Sequence, residues 1–116
     1  VTAADQRLYD NVKNIYYPDE RFSSPVSYAI SKAGIVQLTK YLASYYRERD
    51  IRINCLTPGG VFDNHDTTFN EQYSYRTTLG RMADKNEYNG ASLFLCSDAS
   101  SYMSGANLIV DGGWTA

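Results

Sequence analysis

Apolar and polar positions divide this chain into two helix-strand pairs that follow an unpatterned stretch. Residues 1–24 hold no sustained period and are punctuated by Tyr16-Tyr17-Pro18-Asp19 and Ser23-Ser24-Pro25. They predict a long loop with one helical turn near Gln6 to Tyr9; a loop of that length in a compact domain is usually functional or mobile. Ser24 then reads as an N-cap and Pro25 as the first helical position. Ile30, Ala33, Ile35, Val36, Leu38, Leu42 and Tyr45 recur at helical spacing, while Lys40, Arg47 and Glu48 fall mainly elsewhere. The pattern predicts a helix over 25–49, ended by Asp50.

Ile51 to Leu56 alternates as a short strand until Pro58-Gly59-Gly60 breaks it. Residues 61–82 are polar and aromatic, with a helical piece around Phe69 to Tyr75. Asp84 with Glu87 three residues on is a capping-box pattern and opens a helix to about Cys96. After a loop from Ser97 to Gly105, Asn107 to Asp111 forms a second strand, stopped by Gly112-Gly113. The order helix, strand, helix, strand predicts an α/β fold with parallel strands joined by crossover helices. Two strands do not make a stable open sheet by themselves, so the chain reads as part of a larger fold.

Composition narrows the function classes. The 116 residues are 43% hydrophobic and 21% charged, which is globular and argues against disorder. A net charge of -2 gives no reason to expect nucleic acid or an anionic membrane surface as partner. No apolar run approaches the ~20 residues of a membrane span, and the first residues lack a signal peptide's layout. Cys55 and Cys96 stand apart in apolar segments and read as reduced core thiols, which suits a cytoplasmic protein. His65 is the only histidine, so no metal site and no Ser-His-Asp triad is expected. Tyrosine supplies 11 residues, and many such rings should sit at boundaries, grooves or interfaces.

Tyr28 and Lys32 carry the candidate chemistry. At i and i+4 they share one helix face. A free tyrosine, with a pKa near ~10, is a poor proton-transfer group at neutral pH, and a nearby ammonium favours the phenolate. General acid-base catalysis gains as the catalytic pKa nears the working pH. A bare Tyr-x-x-x-Lys also arises by chance in amphipathic helices, so the surrounding motifs decide.

Those motifs resemble the short-chain dehydrogenase/reductase family. Tyr28-Ala29-Ile30-Ser31-Lys32-Ala33-Gly34 is similar to its Tyr-x-x-x-Lys motif, and Asn54-Cys55-Leu56-Thr57-Pro58-Gly59 to its strand-end Asn-x-x-x-Pro-Gly. Gly80-Arg81-Met82, Phe94-Leu95 with Ser97-Asp98, and Val110-Asp111-Gly112-Gly113 resemble its later landmarks, in order. The resemblance implies the C-terminal portion of a doubly wound parallel-sheet, Rossmann-like fold, and an oxidoreductase that interconverts a carbonyl and an alcohol with NAD or NADP. Tyr28 would exchange the proton with substrate, and Lys32 would hold the cofactor ribose and assist Tyr28. Pro58 and Gly59 would turn beneath the nicotinamide, where glycine allows close approach, and Val61 would meet the carboxamide through its backbone. Asp111-Gly112-Gly113 reads as a structural strand exit near a subunit interface. A homodimer or homotetramer is implied for the full-length protein.

Several features depart from the family pattern. No Gly-x-x-x-Gly-x-Gly occurs, so the dinucleotide-binding half is absent and the residue that separates NAD from NADP lies outside the chain. Ile15 and Tyr16 stand where the catalytic serine is usual, which implies that residues 1–24 are a long insertion and the serine precedes Val1. Asp63 replaces a usual threonine, for which Thr67 or Thr68 would substitute, and Lys85 replaces a usual helix-opening proline.

Residues 62–80 have Phe62, Phe69, Tyr73 and Tyr75 but no continuous apolar face, and they follow a double glycine. They predict a substrate lid, mobile without ligand, with a fixed surface loop held by tyrosine hydroxyl bonds as the alternative. The tyrosine-rich loop and this lid suggest a polar, sugar-like substrate. Gly59 to Phe62 and the C-terminal ending also resemble reductases of nonulosonate or flagellin-glycan pathways. The rival expectation is a truncated, non-catalytic binding or oligomerisation module. In either case the isolated chain is expected to bind no NAD(P)H.

Overall fold

The computed structural model describes residues 5–14 and 16–116. Residues 1–4 of the expected loop and Ile15, at the expected serine position, lie outside the described residues. The regular elements are α1 (Val26–Tyr45), β1 (Cys55–Pro58), α2 (Thr67–Arg76), α3 (Asn89–Cys96) and β2 (Asn107–Val110). A 3-10 turn at Gln6–Tyr9 and another at Asp98–Ser100 complete them. The strands pair in parallel, with Cys55 opposite Asn107 and Pro58 opposite Val110. A parallel pair needs a long crossover, and here α2 and α3 lie within it.

Several boundaries differ from the sequence expectation. Pro25 is the N-cap of α1 and not its first helical residue, because its backbone is extended (φ -70°, ψ 146°). Ser24 caps nothing; its N–H and carbonyl both bond the Gln6 side chain. α1 ends at Tyr45, short of Arg49, in successive turns where Glu48 takes a left-handed φ of 62°. β1 is shifted towards the C-terminus relative to the 51–56 alternation, since register follows the partner strand. Arg52 and Asn54 serve the loops flanking it.

The Asp84–Glu87 capping box forms by half. Glu87 Oε2 accepts the Asp84 N–H at 2.8 Å, but residues 85–88 make tight turns and α3 begins only at Asn89. Cys96, expected in the core, is exposed at the end of α3, and Cys55 is half-buried; both are free thiols.

Burial is shallow. Among the described apolar residues only Leu8 and Met82 are buried. In α1 Val36 and Leu42 are half-buried, whereas Ile30, Ile35, Leu38, Tyr41 and Tyr45 are exposed. The apolar residues of α1 run around more than one face, and only one side lies against β1. A helix with apolar residues on several faces is characteristic of an element packed on more than one side. Among the described residues, no helix is long and apolar enough to cross a membrane.

Candidate active site

Tyr28 and Lys32 stand in the first turns of α1. The Tyr28 N–H closes the helix entry on the Pro25 carbonyl at 3.1 Å. Ser31, between the two residues, returns its hydroxyl to the Tyr28 carbonyl at 2.8 Å. Lys32 Nζ lies 5.5 Å from the Tyr28 ring centroid, a cation-π contact over the face of the ring. The Tyr28 ring is 56% exposed, open to a ligand.

The direction of α1 places this pair. Ala43 packs beside Gly105, just before β2 begins; a Cβ on Gly105 would lie 3.4 Å from that of Ala43. The C-terminal half of α1 therefore sits at the entry end of the strands. Fifteen residues earlier, at ~1.5 Å per residue, Tyr28 lies ~22 Å along the helix, past strands only ~13 Å long. The phenol thus lies toward the carboxyl ends of β1 and β2, where open α/β sheets bind ligands.

The turn after β1 occupies the same end. Gly59 donates to the Val110 carbonyl at 2.9 Å. A Cβ on Gly59 would fall 2.8 Å from the Asp111 Cα, and one on Gly60 would fall 2.7 Å from the Tyr73 ring. Neither glycine has a positive φ, so both are required for close approach and not for a special conformation. Pro58 ends β1, exposed at the rim. Gly60 and Phe62 exchange bonds of 2.9 Å with Ala83, forming an isolated parallel bridge at Val61. Among the described residues no backbone bond takes the N–H or carbonyl of Val61 itself. Those two groups are what a carboxamide needs: a donor and an acceptor on adjacent backbone atoms.

α2 is fastened from several sides. Asp66 Oδ1 caps it, accepting from Thr68 N at 3.0 Å and Phe69 N at 3.2 Å. Thr67 and Thr68 form its first turn. Phe69 stacks on Tyr9 at 5.7 Å, Gln72 donates to the Asp10 carbonyl at 2.8 Å, and Arg76 meets Asp5 at 2.7 Å. Tyr73 stacks on Trp114 at 4.3 Å, and its hydroxyl accepts the Gly60 N–H. Burial pushes the Tyr73 phenol up from its ordinary pKa, despite the bond from Gly60, so it stays neutral. Beside it, Gly59, Gly60, Arg81, Tyr88 and Asp111 line a cavity of about 110 Å3. Asp63 is exposed; its N–H donates to His65 Nδ1 at 3.1 Å.

Asp111 is spoken for within its own turn. Its carboxylate accepts from Gly113 N (2.9 Å), Thr115 N (3.1 Å) and Thr115 Oγ1 (2.7 Å). Burial alone would raise its pKa; these bonds, led by the Thr115 hydroxyl, outweigh burial and hold it below the carboxylate norm. Asn54 of the Asn-x-x-x-Pro-Gly stretch is likewise engaged, bonding Met103 O at 2.9 Å and Ala106 N at 3.1 Å across the entry to β2.

Sequence reasoning placed Tyr73 in the lid but not its bond to Gly60, and it missed Trp114 and Asp5 as members of this region; an abundance of tyrosine points to grooves without saying which ring fills which. No group of His, Cys, Asp and Glu placed to hold a metal occurs among the described residues.

Comparison with known proteins shows the family. A family model described as enoyl-(acyl carrier protein) reductase matches residues 16–115. An NADP-dependent mannitol dehydrogenase of Hypocrea jecorina is 38% identical over 85% of this chain and 37% of its own length. Post-translational flagellin modification protein A of Campylobacter coli is 36% identical over 84% of this chain and 38% of its own. The crystal structure of a short chain dehydrogenase from Leptospira borgpetersenii, with bound NAD+, superposes with a TM-score of 0.84 at 42% identity. It covers 97% of this chain and 39% of that one. The chain thus spans under two-fifths of the length of these relatives. The family model over residues 16–115 and these relatives show that the chain belongs to the short-chain dehydrogenase/reductase family.

Proposed function

We propose that these residues are the proton-transfer and substrate-lid portion of an NAD(P)-dependent oxidoreductase interconverting a carbonyl and an alcohol. The observation that carries the reading is the pairing of Tyr28 and Lys32 in the exposed first turns of α1, at the strand ends that Gly59 and Val61 also occupy. Tyr28 gives its hydroxyl proton to the substrate oxygen in reduction and recovers it in oxidation. Lys32, whose ammonium already lies over the ring, bonds the cofactor ribose and favours the phenolate. Val61 offers its free N–H and carbonyl to the carboxamide. Pro58 and Gly59 bring the backbone close beneath the ring. When bound, the nicotinamide supplies the hydride.

The cradle for the rest of the dinucleotide lies, on this reading, in chain outside these residues. The lid over 62–80 closes on a polar, sugar-like substrate. The mannitol dehydrogenase relative and the exposed aromatic and amide groups of that segment support this. The full-length protein would be a cytoplasmic homodimer or homotetramer.

The test is Tyr28→Phe in the full-length gene product: turnover of a carbonyl with NAD(P)H should vanish while nucleotide binding persists. Retained turnover sinks the assignment. The exposed apolar residues of α1 favour a second reading, a non-catalytic module that pairs with other protein. The gene's upstream reading frame separates the two: a Gly-rich strand-turn-helix encoded there favours the enzyme, and its lack favours the module.

A further inference from the structure

We infer that Tyr73 is a positioning residue that latches the substrate lid to the turn bearing Val61, so that lid position and nicotinamide binding are coupled. The inference rests on the reading of Val61 as the carboxamide contact.

Three observations converge on this ring. Its hydroxyl accepts the N–H of Gly60, the residue before Val61. Its ring fills the space a Gly60 side chain would need: a Cβ there would meet ring carbon at 2.7 Å and the hydroxyl at 3.0 Å. Its other side stacks on Trp114 at 4.3 Å, so the C-terminal tail holds the ring in place. Tyr73 belongs to α2, the helix inside the lid, and it is the only α2 side chain among the described residues that bonds the 59–61 turn.

The turn is held on other sides too: Gly59 donates to the Val110 carbonyl at 2.9 Å and accepts from the Tyr88 hydroxyl at 3.1 Å. Ala83 holds Gly60 O and Phe62 N at 2.9 Å each, which leaves the Gly60 N–H to Tyr73 alone. Movement of α2 away from the strand ends would free that N–H and loosen the Gly59–Gly60 peptide that carries it, so the turn presenting the Val61 groups would lose its lid-side support. A nicotinamide seated on Val61 would conversely favour the latched lid, because linkage is reciprocal. The phenol retains its own hydrogen, and among the described residues no acceptor takes it.

Tyr73→Phe in the full-length gene product tests the latch, since phenylalanine keeps the stack on Trp114 and removes only the hydroxyl. Two measurements are needed: amide exchange at 59–62 without nucleotide, and NAD(P)H affinity by fluorescence titration. We expect the Gly60 amide to exchange faster and affinity to fall about three- to tenfold, the range of one hydrogen bond, with the melting temperature nearly unchanged. Wild-type protein that binds no nucleotide would defeat the functional reading. Wild-type binding matched by an equal affinity in Tyr73→Phe would defeat the latch alone. An affinity loss that appears only with a lowered melting temperature, and is equal in Trp114→Leu, would mean that the ring merely supports the fold.

Discussion

The guanidinium of Arg76 and the carboxylate of Asp5 meet at 2.7 Å, joining the end of α2 to the cap of the N-terminal 3-10 turn. Arg7 grips the same carboxylate, and together they hold Asp5 far below the usual carboxylate range, Arg7 contributing most. With Tyr9 stacked on Phe69 and edge-on to Phe22 at 5.3 Å, the N-terminal segment forms a brace along the lid helix. This arrangement bears directly on the mobile lid that the sequence predicts.

If the brace restrains the lid, Tyr9→Ala should raise amide exchange in α2 by about two- to tenfold, the scale of a lost aromatic pair, while α1 is unaffected. Exchange in α2 that is already far faster than in α1 in the wild type, and indifferent to Tyr9→Ala, would mean that the lid moves freely of residues 5–24.

The pair Arg81–Glu87 gives a pH signature. Two bonds of 2.6 and 2.7 Å from Arg81, with help from the Asp84 N–H, lower Glu87 from 4.5 to about 2. A depressed folded pKa stabilises above the unfolded value and is lost as pH falls through the folded one. The melting-temperature gap between wild type and Glu87→Gln should therefore be full above about pH 5 and close as the pH approaches 2. A gap that stays constant across that range would show that the ion pair does not contribute.

Element types were legible along most of this chain because period and punctuation carry them. Pro58-Gly59-Gly60 and Gly112-Gly113 marked the strand exits, and the helix of Tyr28 and Lys32 stood out by its spacing. Boundaries were less legible, since they depend on partners remote in sequence. β1 takes its register from Asn107 to Val110, and α3 waits on a turn that Glu87 ties to Asp84. The brace on α2 was invisible: Asp5, Tyr9 and Phe22 lack any pattern that names Arg76 and Phe69 as their partners. Gly59 and Gly60 were legible as necessary, but the close approach they allow is in part to Asp111 and Tyr73, contacts only the fold defines.

Gly59 and Gly34 should respond oppositely to alanine. At Gly59 the new methyl would meet Asp111 backbone at 2.8 to 3.1 Å, which cannot swing aside, so Gly59→Ala should destabilise by ~1–3 kcal/mol. Nothing lies within 4 Å of a Cβ on Gly34 in mid-helix, so Gly34→Ala should stabilise this chain by ~0.5–1 kcal/mol. Urea midpoints of the two variants measure the contrast, and a neutral Gly59→Ala would mean the strand ends separate readily.

Arg52 holds the far side of the sheet, and its replacement tests whether that side is a rigid support. Its Nη1 donates to Ser100 O at 2.9 Å and Oγ at 2.8 Å; its Nη2 donates to Leu95 O at 3.2 Å and Ser97 O at 3.1 Å. These carbonyls close the C-terminal end of α3 and the turn after it, where a cation is favoured by the helix dipole. Ser100 is 2% exposed, so the carbonyl it presents to Arg52 has little water to replace a lost donor. Arg52→Met should cost ~2–3 kcal/mol, because bonds to a charged donor count for more than neutral ones and buried acceptors are left unpaired. Arg52→Lys should recover only part of this, since one ammonium cannot span acceptors that the planar fork reaches together. Denaturant midpoints rank the three proteins; a lysine variant as stable as wild type would show that charge, and not the fork, secures α3 to the strand entry.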